Sequence, residues 1–325
     1  MTNSAKQQEA MQQNYQPFLK PPPEPAMTKF KRFLYNSETG AVFGRTGESW
    51  AKIGLFYTIF YICLAALFIL LLWLFHFTLD PRIPKWKLDE SLIGTNPGLG
   101  FRPMPESDNA LSSLIWYRGT NKEDFAFWTN SLEKFLDPYR KPGLNPGRGQ
   151  NIYNCDYDHP PSRGKVCNID VRQWAPCTSE NNYNYHVQNP CIFIKLNKIF
   201  GWVPEYYNDT SNLPEDMPES LKETIYDKAN TSLSALNTIW VSCEGENPAD
   251  VEFIGEIDYL PQQGFPGYFF PFENSEGYLS PLVAIHFKSP RTGVLINVEC
   301  KAWAKNIKHD RKEKLGTVHF ELMID

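Results

Sequence analysis

The chain lacks every common device for handling a phosphoryl group. It has no Gly-rich loop ending in Lys-Ser/Thr and no Lys-Thr-Gly context around a phosphorylatable Asp, which excludes an ATP-using machine built from this chain alone. Gly-x-Ser-x-Gly and His-Glu-x-x-His are absent, and the six histidines are scattered, so neither a hydrolase elbow nor a zincin site is present in the sequence. Positive charge is not in excess: 32 Lys and Arg stand against 37 Asp and Glu, a net −5 that argues against nucleic acid as a partner. The first 62 residues contain no cysteine, and residues 53–77 contain no Asp, Glu, Lys or Arg.

That uncharged run is what the chain is built around. At about 1.5 Å per residue it makes a rod of roughly 37 Å, enough to cross a hydrocarbon core of about 30 Å. Trp50 and Lys52 mark one edge, Trp73, His76 and Asp80 the other. A core helix is rarely apolar on all faces for this length. A cleaved signal peptide is also excluded, because 52 residues precede the run and no small-residue cleavage site follows it. The reading is a permanent signal anchor over 53–77.

Flanking charge leaves the orientation nearly undecided. Lys29, Lys31, Arg32, Arg45 and Lys52 precede the run, and Arg82, Lys85, Lys87 and Arg102 follow it. The cysteines settle the expectation. Cys63 lies in the run, and Cys155, Cys167, Cys177, Cys191, Cys243 and Cys300 all lie beyond it, as do the sequons at Asn208 and Asn230. An even number of cysteines on one side, with glycan acceptors, points to an oxidising compartment there. The expected topology is type II, with the N-terminus cytoplasmic and the C-terminus extracellular. Charge agrees: residues 1–52 carry seven Lys/Arg against four Asp/Glu, +3, which leaves −8 for the rest.

Residues 1–28, rich in Gln and Pro, read as a disordered tail, with Lys20 to Pro25 extended and Pro22-x-x-Pro25 most simply a linker. From 29 to 52 aromatic and basic residues alternate with turn residues, a segment that can lie on lipid headgroups or against partner helices. Within the span, Tyr57 and Tyr61 share a helical face with Leu64 and Phe68, and tyrosine hydroxyls at that depth call for a partner helix. Residues 79–118, dominated by Pro and Gly, predict an extended stalk. Asn121 to Asp124 predicts a helix cap, followed by Phe125, Trp128, Leu132 and Phe135 at helical spacing until Pro138 ends the helix. A long irregular region is expected over 138–238.

Beyond it the period becomes two: Ile239, Val241 and Cys243; Val283, Ile285 and Phe287; Val294 to Ala302; Val318 to Ile324. These predict antiparallel strands with one wet face, assembled as a β-sandwich with Cys243 and Cys300 facing inward. Six cysteines allow fifteen connectivities, of which sequential pairing is the simplest. Asp156-x-Asp158 beside His159 imitates a metal site, but the motif is short, lies between two cysteines and precedes Pro160 and Pro161. The cluster Gly143 to Gly149 reads as a loop.

Several separated segments carry a resemblance. Tyr35-Asn-Ser-Glu-Thr-Gly40 with Gly44-Arg-Thr-Gly47, Leu55-Phe-Tyr-Thr-Ile-Phe-Tyr61 followed by Cys63-Leu-Ala65, Pro190-Cys-Ile-Phe-Ile-Lys-Leu-Asn-Lys198, Tyr278-Leu-Ser-Pro-Leu282 and Val298-Glu-Cys-Lys-Ala302 resemble the beta subunits of sodium/potassium-transporting ATPases, in an invertebrate-like form. The first two segments fit the sodium pump better than the related proton pump. The resemblance implies a single-pass type II plasma-membrane protein with residues 1–52 cytoplasmic, 53–77 spanning and 78–325 a glycosylated ectodomain. That ectodomain would be an immunoglobulin-like sandwich with an inserted helix and the pairs Cys155–Cys167, Cys177–Cys191 and Cys243–Cys300. It also implies no catalysis and no cofactor or metal. A separate catalytic alpha subunit would be stabilised, delivered to the surface and tuned in its potassium handling. Membrane lipid is a further partner, and room is left for a small single-span regulatory subunit. By motif, Tyr57, Phe60 and Tyr61 would face the alpha subunit's helices and Tyr268, Phe269, Phe270, Pro271 and Phe272 its outer loop. The family's last motif is usually tyrosine-rich, and Phe269, Phe270 and Phe272 depart from that. The rival reading is an adhesion or junction glycoprotein acting through the same ectodomain.

Overall fold

The computed structural model describes residues 25–105, 112–141 and 151–325. The chain forms two compact units, residues 1–79 and 80–325.

In the first unit, helix α1 (Ala26–Leu34) leads into a short antiparallel hairpin, β1 (Tyr35–Asn36) with β2 (Ala41–Val42), and then into helix α2 (Gly47–Phe77). The hairpin turns at Gly40, which adopts positive φ, the chain bends again at positive φ at Phe43 and Gly44 just after β2, and the hairpin is pinned to α2 by the Trp50 indole, whose Nε1 donates to the Val42 carbonyl at 2.9 Å. Helix α2 has 31 residues and is the one helix among the described residues long and apolar enough to cross a membrane. It starts at Gly47, six residues before the uncharged run, because Glu48 in its first turn suits the helix dipole and Glu48 pairs with Lys52 one turn on, at 2.6 Å. The expected disordered tail ended at 28, yet α1 begins at Ala26: apolar residues at 27, 30, 33 and 34 give a helical period that the Pro-rich stretch before it had obscured. The Lys20 to Pro25 segment, apart from Pro25, and the Gly143 to Gly149 cluster lie outside the described residues.

The second unit contains two main sheets and a short parallel pair, β5 (Ile152–Tyr153) with β6 (Val166–Cys167). The five-stranded sheet has the order β10 (Gly264–Pro266), β8 (Thr238–Gly245), β12 (Leu295–Trp303), β13 (Thr317–Ile324), β4 (Leu114–Tyr117); all neighbours are antiparallel except β13 and β4. The four-stranded sheet is antiparallel with the order β3 (Leu99–Arg102), β7 (Cys191–Leu196), β11 (Leu282–Lys288), β9 (Glu256–Leu260). Inward side chains of both sheets make one core: the Phe320 ring of β13 meets Phe101 of β3 at 5.1 Å and Phe287 of β11 at 6.3 Å. The apolar positions read from the period of two, from Ile239 to Ile324, are buried there, apart from Val294 and Val318 at the rim.

The outer faces are less wet than expected. Trp240 and Trp303, on the other side of β8 and β12, are buried under helix α4 (Glu219–Thr231) through Leu221 and Ile225, and the Trp303 indole donates to Ser242 Oγ at 2.8 Å. Two apolar residues one turn apart in an otherwise polar 13-residue stretch are a weak signal, so the region 138–238 looked irregular although it also holds β7. The predicted stalk is corrected too. Leu99 and Phe101 alternate with Gly100 and Arg102 for only four residues among prolines, enough for an edge strand, and β4 joins the other sheet by pairing with the last strand. Helix α3 (Lys122–Arg140) carries the predicted Asn121 cap, whose side chain accepts from the Glu123 amide. It continues past Pro138 to Arg140. A proline in the last turn removes one backbone donor, and here Tyr139 is held by donating to the Ser280 carbonyl while Arg140 pairs with Glu133.

Truncating Leu221, fully buried against Trp240 and Trp303, should cost about 2–5 kcal/mol as Leu→Ala. Leu233, 74% exposed, should lose no more than about 0.5 kcal/mol on the same change, so unfolding midpoints of the two variants should separate clearly.

Candidate interaction sites and their relatives

Three disulfides tie the second unit. Cys155–Cys167 and Cys177–Cys191 close short loops of 12 and 14 residues, and Cys243–Cys300 joins directly opposed residues of β8 and β12. The last therefore staples neighbouring strands of one sheet, not one sheet to the other as in antibody domains. Cys177–Cys191 fastens the segment before β7 to the first residue of that strand, and Cys167 Sγ lies 3.8 Å from the Tyr268 carbonyl oxygen. Asn208 and Asn230 are both exposed, the first accepting from Lys305 Nζ at 3.3 Å, the second in the last turn of α4.

Tyr268 to Phe272 follow β10 in a single helical turn and an extended exit. Gly267 opens the turn because a Cβ there would lie 2.5 Å from both the Asn237 carbonyl and the Tyr206 hydroxyl; only glycine fits so close. The five residues do not act alone. Tyr268 meets Tyr157 edge-on at 5.3 Å, Phe270 meets Trp202 at 5.9 Å, and Phe272 meets Phe200 at 6.2 Å and Tyr278 at 4.9 Å. Lys198 Nζ sits 5.1 Å over Phe272 and 5.2 Å over Tyr278, and its partial burial lowers its pKa. A groove of about 610 Å³ runs beside this ladder, bounded by Tyr157, Pro161 and Val166 on one side and Tyr268, Pro271 and Tyr278 on the other. Phe269 is buried beneath it, while Pro271 is exposed.

The groove's phenols are neutral well beyond ordinary pH. Burial pushes Tyr268 up to about 12, with Tyr157 and Asp156 adding to it, and burial with Tyr157 pushes Tyr206 to about 12. Tyr157 itself accepts from Gln262 Nε2 and lies 2.7 Å from Thr238 Oγ1. The sequence pointed to Tyr268, Phe269, Phe270, Pro271 and Phe272 as a candidate contact and gave no such role to Phe200, Trp202, Tyr157 and Lys198, which the fold brings beside them from distant segments. The only hint was the run of aromatic residues flanking Pro204.

Asp156 and His159 form a closed turn instead of a ligand set. Asp156 Oδ1 accepts from the amides of Asp158 and His159 and lies 2.9 Å from His159 Nδ1. Among the described residues no group of three or more His, Cys, Asp or Glu is arranged to hold a metal ion.

In the other unit, Tyr57, Phe60 and Tyr61 are all about half exposed on α2. Tyr57 stacks on Tyr61 at 6.1 Å one turn away, and Phe60 meets Tyr61 edge-on at 5.4 Å, so the three present a single aromatic ridge. Cys63 is unpaired and exposed on the same helix.

The family model described as sodium/potassium ATPase beta chain matches residues 20–320. The sodium/potassium-transporting ATPase subunit beta-2 of Drosophila melanogaster is 61% identical over 308 residues, covering 95% of each chain. Subunit beta-1 of the same fly is 42% identical over 306 residues, 93% of this chain and 95% of that one, and human subunit beta-2 is 28% identical over 319 residues, 91% and 94%.

A phenol kept neutral by the fold adds stability below its unfolded value near 10, and that contribution is lost as pH climbs toward the folded value of about 12. Tyrosinate absorbance should therefore appear in two waves, the groove phenols in the later one, and their own contribution to stability should fall only above about pH 10. Tyr268→Phe should remove one equivalent from the late wave and leave the early wave unchanged.

Proposed function

Because this chain belongs to the sodium/potassium-transporting ATPase beta-chain family, we propose that it is the non-catalytic beta subunit of a plasma-membrane cation pump. It would be a type II glycoprotein with its immunoglobulin-like sandwich outside and glycans on Asn208 and Asn230. Its task is to stabilise and deliver a catalytic alpha subunit and to modulate potassium occlusion. The observation that carries this reading is the pairing, in one chain of that family, of two aromatic clusters: the exposed Tyr57–Phe60–Tyr61 ridge on an apolar helix and the half-buried Tyr268–Phe272 ladder, with Pro271 exposed, on the ectodomain. Large rigid aromatics are the usual anchors of interfaces.

Chemically, neither surface offers an acid, base or nucleophile placed for catalysis, so the effect on transport must come by linkage. A subunit that contacts the potassium-occluded state better than the sodium-loaded state raises potassium affinity by that difference, about 1 kcal/mol or roughly fivefold within the usual coupling range. Phe270 and Phe272 keep the packing of the ladder but carry no hydroxyl, so differential contact there is by shape and by the Lys198 cation over the Phe272 ring.

The alpha subunit should be expressed alone, with this chain, and with Phe270→Ala/Phe272→Ala. Surface delivery should require this chain, and the double variant should raise the potassium concentration for half-activation by roughly fivefold. Full surface activity from alpha alone would end the proposal; unchanged potassium activation in the variant would move the coupling away from the ladder. Tyr57→Ala/Tyr61→Ala should weaken co-purification, whereas Leu70→Ala/Leu72→Ala should not.

A further inference from the structure

Helix α1 has an apolar face that, among the described residues, is touched at Phe33 by Phe43 and Gly44 and is otherwise left exposed. At about 100° per residue, Ala26, Phe30, Phe33, Leu34 and Met27 fall within one third of its circumference, and Lys29, Lys31 and Arg32 with Thr28 fill the rest. None of its residues is buried: Met27 is 67%, Phe30 56% and Phe33 52% exposed. A nine-residue helix with such a bare face is marginal in water, so its partner must supply an apolar layer and negative charge together.

Its position says which partner has both. The Phe33 ring meets Phe43 at 6.0 Å and lies against Gly44, the hairpin brings Val42 to the Trp50 indole, and Trp50 is in the first turn of α2. The amphipathic helix is thus held beside the N-terminal end of the helix that can span a membrane. Arg45 and Lys52 flank the same end, so residues 26–52 carry five Lys and Arg against Glu38 and Glu48.

We propose that α1 lies in the plane of an anionic membrane surface, with Met27, Phe30, Phe33 and Leu34 at the boundary of headgroups and acyl chains and its cations among lipid phosphates and carboxylates. A neutral bilayer would accept the apolar face and offer no counter-charge to Lys29 and Lys31; anionic lipid satisfies both. The physiological setting rests on the proposed cytoplasmic location of the N-terminus, because the anionic lipids concentrate in that leaflet. The arrangement makes the start of the span sensitive to lipid charge through the hairpin.

The test uses the full chain in nanodiscs of phosphatidylcholine, with or without phosphatidylserine, and amide hydrogen exchange across residues 26–34. Both disc faces meet solvent, so the result does not depend on orientation, which protease cleavage at Lys29 or Lys31 in sealed vesicles reports separately. Exchange should be at least about tenfold slower in the phosphatidylserine discs, and added salt should shrink the difference. Lys29→Glu with Lys31→Glu and Arg32→Glu should abolish the lipid dependence. Phe30→Ser with Leu34→Ser should abolish protection in both discs, while exchange of α2 stays slow in every variant and shows that the unit still folds. Equal protection in both lipids, or protection that survives charge reversal, would overturn the proposal; protection that appears only when the alpha subunit is present would instead assign the face to a protein partner.

Discussion

A backbone that crosses hydrocarbon has to satisfy its own hydrogen bonds, and that constraint organises everything else in the chain. Helix α2 meets it over 31 residues, and no charged side chain interrupts the 25 that form its apolar body. What lies on either side must fold by its own means. The short N-terminal part does so with a hairpin of two-residue strands and a handful of aromatic contacts. The long C-terminal part builds a core between two sheets, covers the outer faces of β8 and β12 with α4, and adds three disulfides.

The disulfides and the aromatic ladder are mechanically connected. Cys155–Cys167 closes the loop that forms one wall of the groove and brings Cys167 against the Tyr268 backbone, while Cys177–Cys191 fastens the start of β7, whose far end leads to Lys198, Phe200 and Trp202. On the loop-entropy account each short loop contributes roughly 3 kcal/mol to stability, more than most single contacts. The proposed coupling would need a ladder braced in this way, because a surface that yields equally to two states of a neighbour couples to neither.

Much of this was legible in the residues. The uncharged run, the period-two strands and the Asn121 cap follow from side-chain chemistry that acts locally. The sequence was harder to read where tertiary context overrode local signal. Leu99 and Phe101 sit among prolines and become a strand only because β7 offers an edge; Pro138 is carried inside a helix because Tyr139 and Arg140 are anchored beyond it; Leu221 and Ile225 matter only because Trp240 and Trp303 lie beneath them. At the candidate site the motif residues were visible, but Tyr157, Lys198, Phe200 and Trp202 converge on them from separate stretches, and no spacing rule could gather them.

The central claim is that this chain exists to hold a catalytic neighbour. Its most direct measurement is affinity capture of the full chain from its native membrane in mild detergent, with the captured material weighed and identified by mass spectrometry. The account predicts a stoichiometric, much larger chain bearing the ATP-binding and phosphorylatable Asp motifs that this sequence lacks. Recovery of this chain alone, or only with further copies of itself, would contradict it.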